Sequence, residues 1–250
     1  MKILLIDIET APHLALIWGP KTNWISPDHV QQSGYTLCFA AKWLGAEKVI
    51  FKSVFHHTAE VMIQSAWDLL HEADAVIHYN GTQFDLPTLH SDFIERGMTP
   101  PSPAHDIDLL KTSRQRFRRY SHRLDAVAKW LGLGAKTEHK GMPLWIGCMN
   151  NNRKDWATMR TYNINDVLLL ERVYEAFLPW IKSHPNHALY TDSDRPICGN
   201  CGGTRLSRQG IKTTATQAYQ QYKCLSCGKW QRQRANSTPP ETKRNILVSA

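Results

Sequence analysis

Asp7 and Glu9 stand two residues apart in the run Ile-Leu-Leu-Ile-Asp-Ile-Glu-Thr at positions 3–10. An apolar run of this kind reads as a buried strand, whose side chains alternate with period two, so both carboxylates point one way while Ile6 and Ile8 pack the other way. Buried carboxylates are costly unless paired, and two aimed at one spot repel each other unless a cation lies between them. A divalent metal meets both needs. A strand running out into a loop, with both acids solvated, is the alternative. Asp85 follows Asn80-Gly81 where a short strand gives way to a helix, so its carboxylate faces the positive end of a helix dipole; a plain first-turn Asp would look the same. Tyr162 and Asp166 stand four apart in a long helical segment, so a phenol and a carboxylate share one face; a surface pair beside polar Asn163 and Asn165 is the competing reading.

The elements that must carry these groups follow from apolar periodicity. Residues 2–8, 36–43 and 48–54 read as strands, the last two joined by the turn Gly45-Ala46-Glu47. A helix over 58–72 leads to a strand at 75–77, and a second helix runs from about residue 84 to 96, ending at Gly97. A Pro-rich loop at 100–103 precedes a strand at 106–110; a helix over 123–131 is stopped by Gly132 and Gly134, and a long helix over 155–178 closes at Pro179. Strands followed by alternating helices and strands predict an α/β fold, a mixed sheet flanked by helices. Residues 114–120 read as a loop with four arginines and two aromatics; Arg116, Arg118 and Arg119 are candidates for holding a phosphate backbone, or the stretch is simply solvated.

Asp7-Ile8-Glu9-Thr10, Asn80-Gly81-x-x-Phe84-Asp85 and Tyr162-x-x-x-Asp166, taken in that order, resemble the three motifs of the DEDD superfamily of 3′-to-5′ exonucleases, in the variant where Tyr replaces His in the third motif. The resemblance spans residues 1 to about 180 and implies an RNase H-like fold. It also implies two Mg²⁺ or Mn²⁺ ions about 4 Å apart, which clamp the attacking and leaving oxygens of a phosphodiester displacement by water. In that scheme Asp7 bridges the ions, Glu9 and Asp85 complete their shells, Asp166 holds the ion nearest the water, and Tyr162 orients the water through its hydroxyl. Phe84 reads as a core anchor, with stacking on a terminal base as the alternative, and Asn80 as a residue lining the strand's entry. The implied substrate is nucleic acid, in first place single-stranded DNA 3′ ends, with a DNA polymerase or replication protein as a further partner. An RNA-trimming exoribonuclease and a non-catalytic nucleic-acid-binding accessory protein are the alternatives.

Charge and cysteine divide the chain. Residues 1–194 sum to −1, whereas 195–250 sum to +9 with Glu241 as their single acid, the electrostatic footprint of a polyanion binder, with a basic solubilising tail as the alternative. Cys198-x-x-Cys201 and Cys224-x-x-Cys227 are separated by 22 residues, and each is followed by glycine. Two such thiolate pairs suit one tetrahedral structural Zn²⁺, and the pattern resembles a zinc ribbon with strands at 217–223 and 229–233. Basic residues around it, Lys229 and Arg232 among them, would grip a nucleic-acid backbone, with a protein-docking ribbon as the alternative. Cys38 and Cys148 read as packing residues. The expected organisation is a nuclease domain at 1–183, a linker at 184–195, a zinc ribbon at 196–236 and a flexible tail at 237–250. With no apolar run near the roughly 20 residues of a membrane span and no signal-peptide core, the expected setting is cytoplasmic, in a bacterium or a phage-infected host, without membrane contact.

Overall fold

The computed structural model describes residues 1–21 and 23–247. The chain divides into two compact units, Lys2–Tyr174 and Glu175–Ala250. The first unit is built on β1 (Ile3–Thr10). A small two-stranded ribbon follows it, β2 (Leu14–Ala15) with β3 (Val30–Gln32), and then β4 (Thr36–Trp43) returns antiparallel to β1, with β5 (Ile50–Ser53) antiparallel to β4. After α1 (Ala59–Glu72), β6 (Ala75–His78) joins the other side of β1 in parallel; after α2 (Asp85–Glu95), β7 (His105–Asp108) joins β6 in the same sense. The five-stranded mixed sheet therefore runs β5-β4-β1-β6-β7, with β1 at its centre. Helices α3 (Leu109–Arg116), α4 (Leu124–Leu131), α5 (Met142–Met149) and α6 (Arg153–Phe177) complete the list of long elements before residue 180. The α/β class and the mixed, helix-flanked sheet agree with the sequence pattern.

Period-two alternation along β1 sorts its residues between two cores. Leu4, Ile6 and Ile8, together with Phe39 and Ala41 of β4, pack under α1 and α2 through Met62, Ile63, Ala66, Leu69, Leu70, Leu89 and Phe93. The opposite face meets α5 and α6, where Cys38 packs with Leu144, Cys148, Trp156, Met159 and Tyr162. Asp7 and Glu9 belong to that second face, paired in register with Ala40 and Cys38, whose small side chains leave room for α6 above the carboxylates. Trp156 holds α6 there: it is fully buried, stacks on Phe55 at 5.5 Å and donates its indole N–H to the Cys148 carbonyl at 3.0 Å. Truncation of a buried Trp to Ala costs about 3–5 kcal/mol, so this contact matters for the position of the whole helix. Buried Lys42 on β4 pairs with Glu171 of α6 and fixes the helix further along. The pairing of β1 with β4 shifts between Glu9 and Thr10, so Glu9 is the last residue in the main register.

In the first unit three stretches depart from the sequence reading. Asp108 ends β7 and at once caps α3, its Oδ1 accepting from the N–H groups of Leu110 (2.9 Å) and Lys111 (3.3 Å), so the expected strand at 106–110 is cut short and residues 114–116 are helical instead of looped. α5 was not anticipated, because Met-Pro-Leu-Trp-Ile-Gly-Cys-Met is apolar nearly throughout and carries no period. The β2–β3 ribbon is likewise new, and the chain around it leaves Leu16, Trp18 and Trp24 exposed.

The second unit holds an antiparallel sheet, β8 (Leu206–Thr213), β9 (Ala218–Cys224) and β10 (Trp230–Arg232), in the order β10-β9-β8. β8 escapes the sequence reading because its composition, Leu-Ser-Arg-Gln-Gly-Ile-Lys-Thr, is mostly polar and all but two of its residues are exposed. Within the stretch read as a linker, Asn186 caps a short 3₁₀ turn at His187–Leu189, and the His187 N–H donates to the Gly199 carbonyl at 2.7 Å. Within the stretch read as a tail, Ser237 and Thr238 hydrogen-bond to Ala218 of β9, and α7 (Pro240–Asn245) follows; residues 248–250 lie outside the described residues. Among the described residues no helix is long and apolar enough to cross a membrane.

Candidate functional site

Asp7, Glu9 and Asp166 offer carboxylate oxygens that all lie within 4.8 Å of one another. β1 supplies the first two; α6 supplies the third, because Tyr162 and Asp166 face the sheet from successive turns. Asn163, fully buried on the same face, donates its amide to the Asp7 Oδ2 (2.7 Å) and to the Asp7 backbone carbonyl (3.2 Å). Asp85 is 5% exposed at the start of α2 and accepts from the Ile8 N–H at 3.0 Å, which ties α2 to β1; its oxygens fall outside the tight three-residue cluster. Asn80-Gly81 makes the turn that delivers it. Asn80 takes a left-handed conformation (φ 72°), and Gly81 packs so closely on His78 that a Cβ would sit 2.4 Å from the ring.

The electrostatics of this cluster call for a cation. Burial, then the charges of Asp85, Glu9 and Asp166, hold the Asp7 carboxyl well above the usual carboxylate range, against a smaller opposing pull from Lys136. Burial pushes Glu9 up to about 7, with Lys136 opposing and Asp166 adding to the effect. Asp85 and Asp166 are raised as well, in each case chiefly by burial. Lys136, from the loop after α4, supplies a positive charge from within the chain: its Nζ meets Asp166 Oδ2 and donates to the Tyr162 hydroxyl at 3.1 Å. Burial acts to lower the Lys136 pKa, but Asp166 and Tyr162 outweigh it and hold the ammonium above its usual range. Burial, with Glu9 and Asp166, also raises the Tyr162 phenol. The other oxygen of Asp166, Oδ1, is buried and has no hydrogen-bond partner among the described residues. Clustered hard oxygens, raised carboxyl pKa values and an orphaned carboxylate oxygen all fit a divalent cation.

A family model described as the RNase_H superfamily matches residues 30–178. The chain belongs to the RNase H superfamily. The matched span contains Asp85, Tyr162 and Asp166 and begins after Asp7 and Glu9. No curated protein matches the chain. RNase H-like nucleases use divalent metals and act on nucleic acid, so membership supports a nuclease-like function for this unit.

The RNase H-like unit has an open cleft of about 870 Å³ beside the carboxylates, lined by Asp7, Asn80, Arg114, Arg123, Lys136 and His139 among others. Asn80 is one of the residues lining this cleft. Phe84, read as a core anchor, is 46% exposed, because the turn that buries Asp85 leaves the preceding side chain at the helix N-cap turned outward. Arg116, Arg118 and Arg119 are not among the residues lining the cleft; the Arg119 guanidinium lies 4.7 Å from the Trp130 ring centre, with Phe117 packed edge-on against the same ring. Lys136 and Asn163 escaped the sequence reading as site residues. A lone Lys in a glycine-bounded loop carries no local signal, whereas Asn163, one residue after Tyr162 on a helix, could have been placed by its i, i+3 relation to Asp166. Cys38 and Cys148 are buried packing residues; burial raises both thiols, Cys148 to about 12.

In the second unit Cys198, Cys201, Cys224 and Cys227 gather with all sulfurs within 4.8 Å of one another. The Cys198–Cys227 and Cys201–Cys224 sulfur separations are both 3.7 Å, the edge length expected of a sulfur tetrahedron around an ion bound at about 2.3 Å. The Cys224 thiol lies at about 7: burial alone would raise it, but the N–H groups of Cys227 and Ser226 outweigh burial and stabilise the thiolate. This cluster could bind zinc and is compatible with a zinc ribbon. Lys229 donates to the Ile181 carbonyl, and the Arg232 guanidinium sits 3.7 Å from the centre of the Tyr219 ring.

Proposed function

We propose that this protein is a metal-dependent 3′-to-5′ exonuclease of the DEDD type, with Tyr162 in the third motif, acting on single-stranded DNA ends. The observation that carries the proposal is the convergence of Asp7, Glu9 and Asp166, with an unpartnered Asp166 oxygen among them and Tyr162 one helical turn away. Divalent ions held by Asp7, Glu9, Asp166 and, at the edge, Asp85 would supply Lewis acidity to the attacking water and the leaving oxygen. Asn163 keeps Asp7 in place, and the Ile8 N–H does the same for Asp85. A phenol is already protonated at neutral pH, and burial with Glu9 and Asp166 raises this one further, so Tyr162 would hold the water by a hydrogen bond and not take its proton. Lys136, beside Tyr162, offers ammonium protons to a non-bridging phosphate oxygen. Arg114 and Arg123 line the cleft and would hold the strand's phosphates.

The test is a time course on 3′-labelled and 5′-labelled DNA and RNA with Mg²⁺, with the Asp7→Ala variant run alongside. Stepwise shortening of 5′-labelled DNA, with immediate mononucleotide release from the 3′-labelled strand, is expected, and Asp7→Ala is expected to bind DNA without releasing nucleotide. Full activity in Asp7→Ala, or release that starts from the 5′ end, would overturn the reading.

A further inference from the structure

The register of the small sheet sorts its side chains onto two unlike faces. Residues directly paired across antiparallel strands share a face. Trp230 pairs with Lys223, and Lys223 with Ser207; Arg232 pairs with Gln221, and Lys212 with Tyr219. One face therefore carries Trp230, Arg232, Lys223, Lys212 and Tyr219. The shift between Arg208 and Ile211 puts a bulge in β8, and the pairs beyond it keep the same faces. The other face, with Gln220, Gln231 and Cys224, is turned to the cysteine turns: the Gln231 side chain accepts from the Gly199 N–H at 2.9 Å and donates to the Cys198 sulfur at 2.8 Å. The face bearing Trp230 is the open one.

On that open face, cations and aromatics alternate. Trp230 is 50% exposed, with the Lys223 ammonium 5.8 Å from its ring centre. Arg232 covers buried Tyr219 at 3.7 Å, and Lys212 is exposed on β8 beside it. No acid occurs in β8, β9 or β10, and the net charge of +9 over residues 195–250 gives the surface one electrostatic sense. A half-exposed indole flanked by ammonium and guanidinium groups suits a base stacked on its ring with phosphates alongside, whereas an apolar protein partner would have to desolvate three cations with no acid to pair them.

We propose that this face is a binding site for single-stranded nucleic acid, with one base stacked on Trp230 and the backbone held by Lys212, Lys223 and Arg232. It uses none of the residues of the carboxylate cluster. Binding is tested with the full chain carrying Asp7→Ala, without added divalent cation, by fluorescence anisotropy of a labelled 20-nucleotide dT strand, with zinc content measured for every variant. Trp230→Ala is expected to weaken binding about tenfold and Trp230→Phe to keep most of the affinity. Lys223→Gln is expected to lower the slope of log affinity against log salt by about 0.7. Trp230→Ala that holds its zinc and binds as tightly as the parent overturns the proposal and assigns the face to another occupant, such as a protein. Should Trp230→Ala lose zinc, Trp230→Phe and Lys223→Gln decide, and an unchanged salt slope in Lys223→Gln overturns the proposal by itself. A chain in which Asp7→Ala still releases nucleotides would refute the exonuclease reading and leave this binding result untouched, since it is read without turnover.

Discussion

Replacing Lys136 by Met would leave Asp166 facing Asp7 and Glu9 with the neighbouring ammonium gone. Opposite charges about 3 Å apart attract by about 5 kcal/mol at an effective dielectric constant near 20. Water reaches the Lys136 side chain, which is 32% exposed, and screens part of that attraction, while the Asp166 side chain is fully buried. A proton taken up by the unpaired carboxylate limits the loss further, so the net cost in the metal-free protein is about 2 kcal/mol, below the usual cost of breaking a fully buried pair. For a unit of this size that is a fall of about 4–8 °C in melting temperature. Metal binding should change in the opposite direction. A divalent ion approaching the cluster no longer meets the ammonium, so Mg²⁺ is expected to raise the melting temperature of Lys136→Met by more than it raises the parent's, while nucleotide release falls because a donor to the phosphate is lost. Thermal melts over a Mg²⁺ series, with initial rates on single-stranded DNA, measure both effects. A metal-free melting temperature within 1 °C of the parent, or an equal Mg²⁺ effect in both proteins, would refute the argument.

Asn163→Leu removes the amide that holds Asp7; kcat is expected to fall by about 10–100-fold with zinc content unchanged, and an unaltered kcat would show that Asp7 needs no such support. Cys224→Ser should lose one zinc per chain by elemental analysis and, with it, the protection of β9 amides from hydrogen exchange; a full metal count would rule out the four-cysteine site. The His78 ring, 2.7 Å from Asp106, holds that carboxyl below the usual range, so its contribution to stability is present above the unfolded-state value near 4 and is lost as pH falls through the lower folded-state value. Asp106→Asn should therefore be less stable than the parent at pH 7, with the gap closing below about pH 4; a gap that stays constant down to pH 2 in denaturant titrations would count against the pair.

The carboxylates were legible because each rides on an element with a clean period. Asp7 and Glu9 share a face of a strand, and Tyr162 and Asp166 share a face of a helix, so local spacing already says which groups can meet. Lys136 was not legible, since its meeting with Asp166 depends on where the loop after α4 crosses α6, and no period encodes that. Phe84 misled for a related reason: an aromatic beside a buried acid reads as core, but at the start of a helix adjacent side chains diverge, and burying one exposes the other. In the first unit the apolar strands were legible, and β9 and β10 followed from the cysteine pattern, whereas polar β8 was not found, because its partners and not its own side chains make it a strand. α3 was hidden by its cap: Asp108 belongs to strand and helix at once.

The register shift after Glu9 separates two fates for the chain. From Leu4 to Glu9 every position is fixed by its partner on β4, and a one-residue slip would turn both carboxylates into the opposite core. Beyond it the chain leaves through Ala11, whose N–H bonds to the Tyr35 carbonyl at 2.8 Å, and the β2–β3 ribbon is strung between those two residues. Closing a longer or shorter loop on that pinch costs little, because the entropy grows only with the logarithm of its length. The segment between Ala11 and Tyr35 is thus a place where the chain tolerates a change of length, or an inserted appendage, while Asp7 and Glu9 stay where they are.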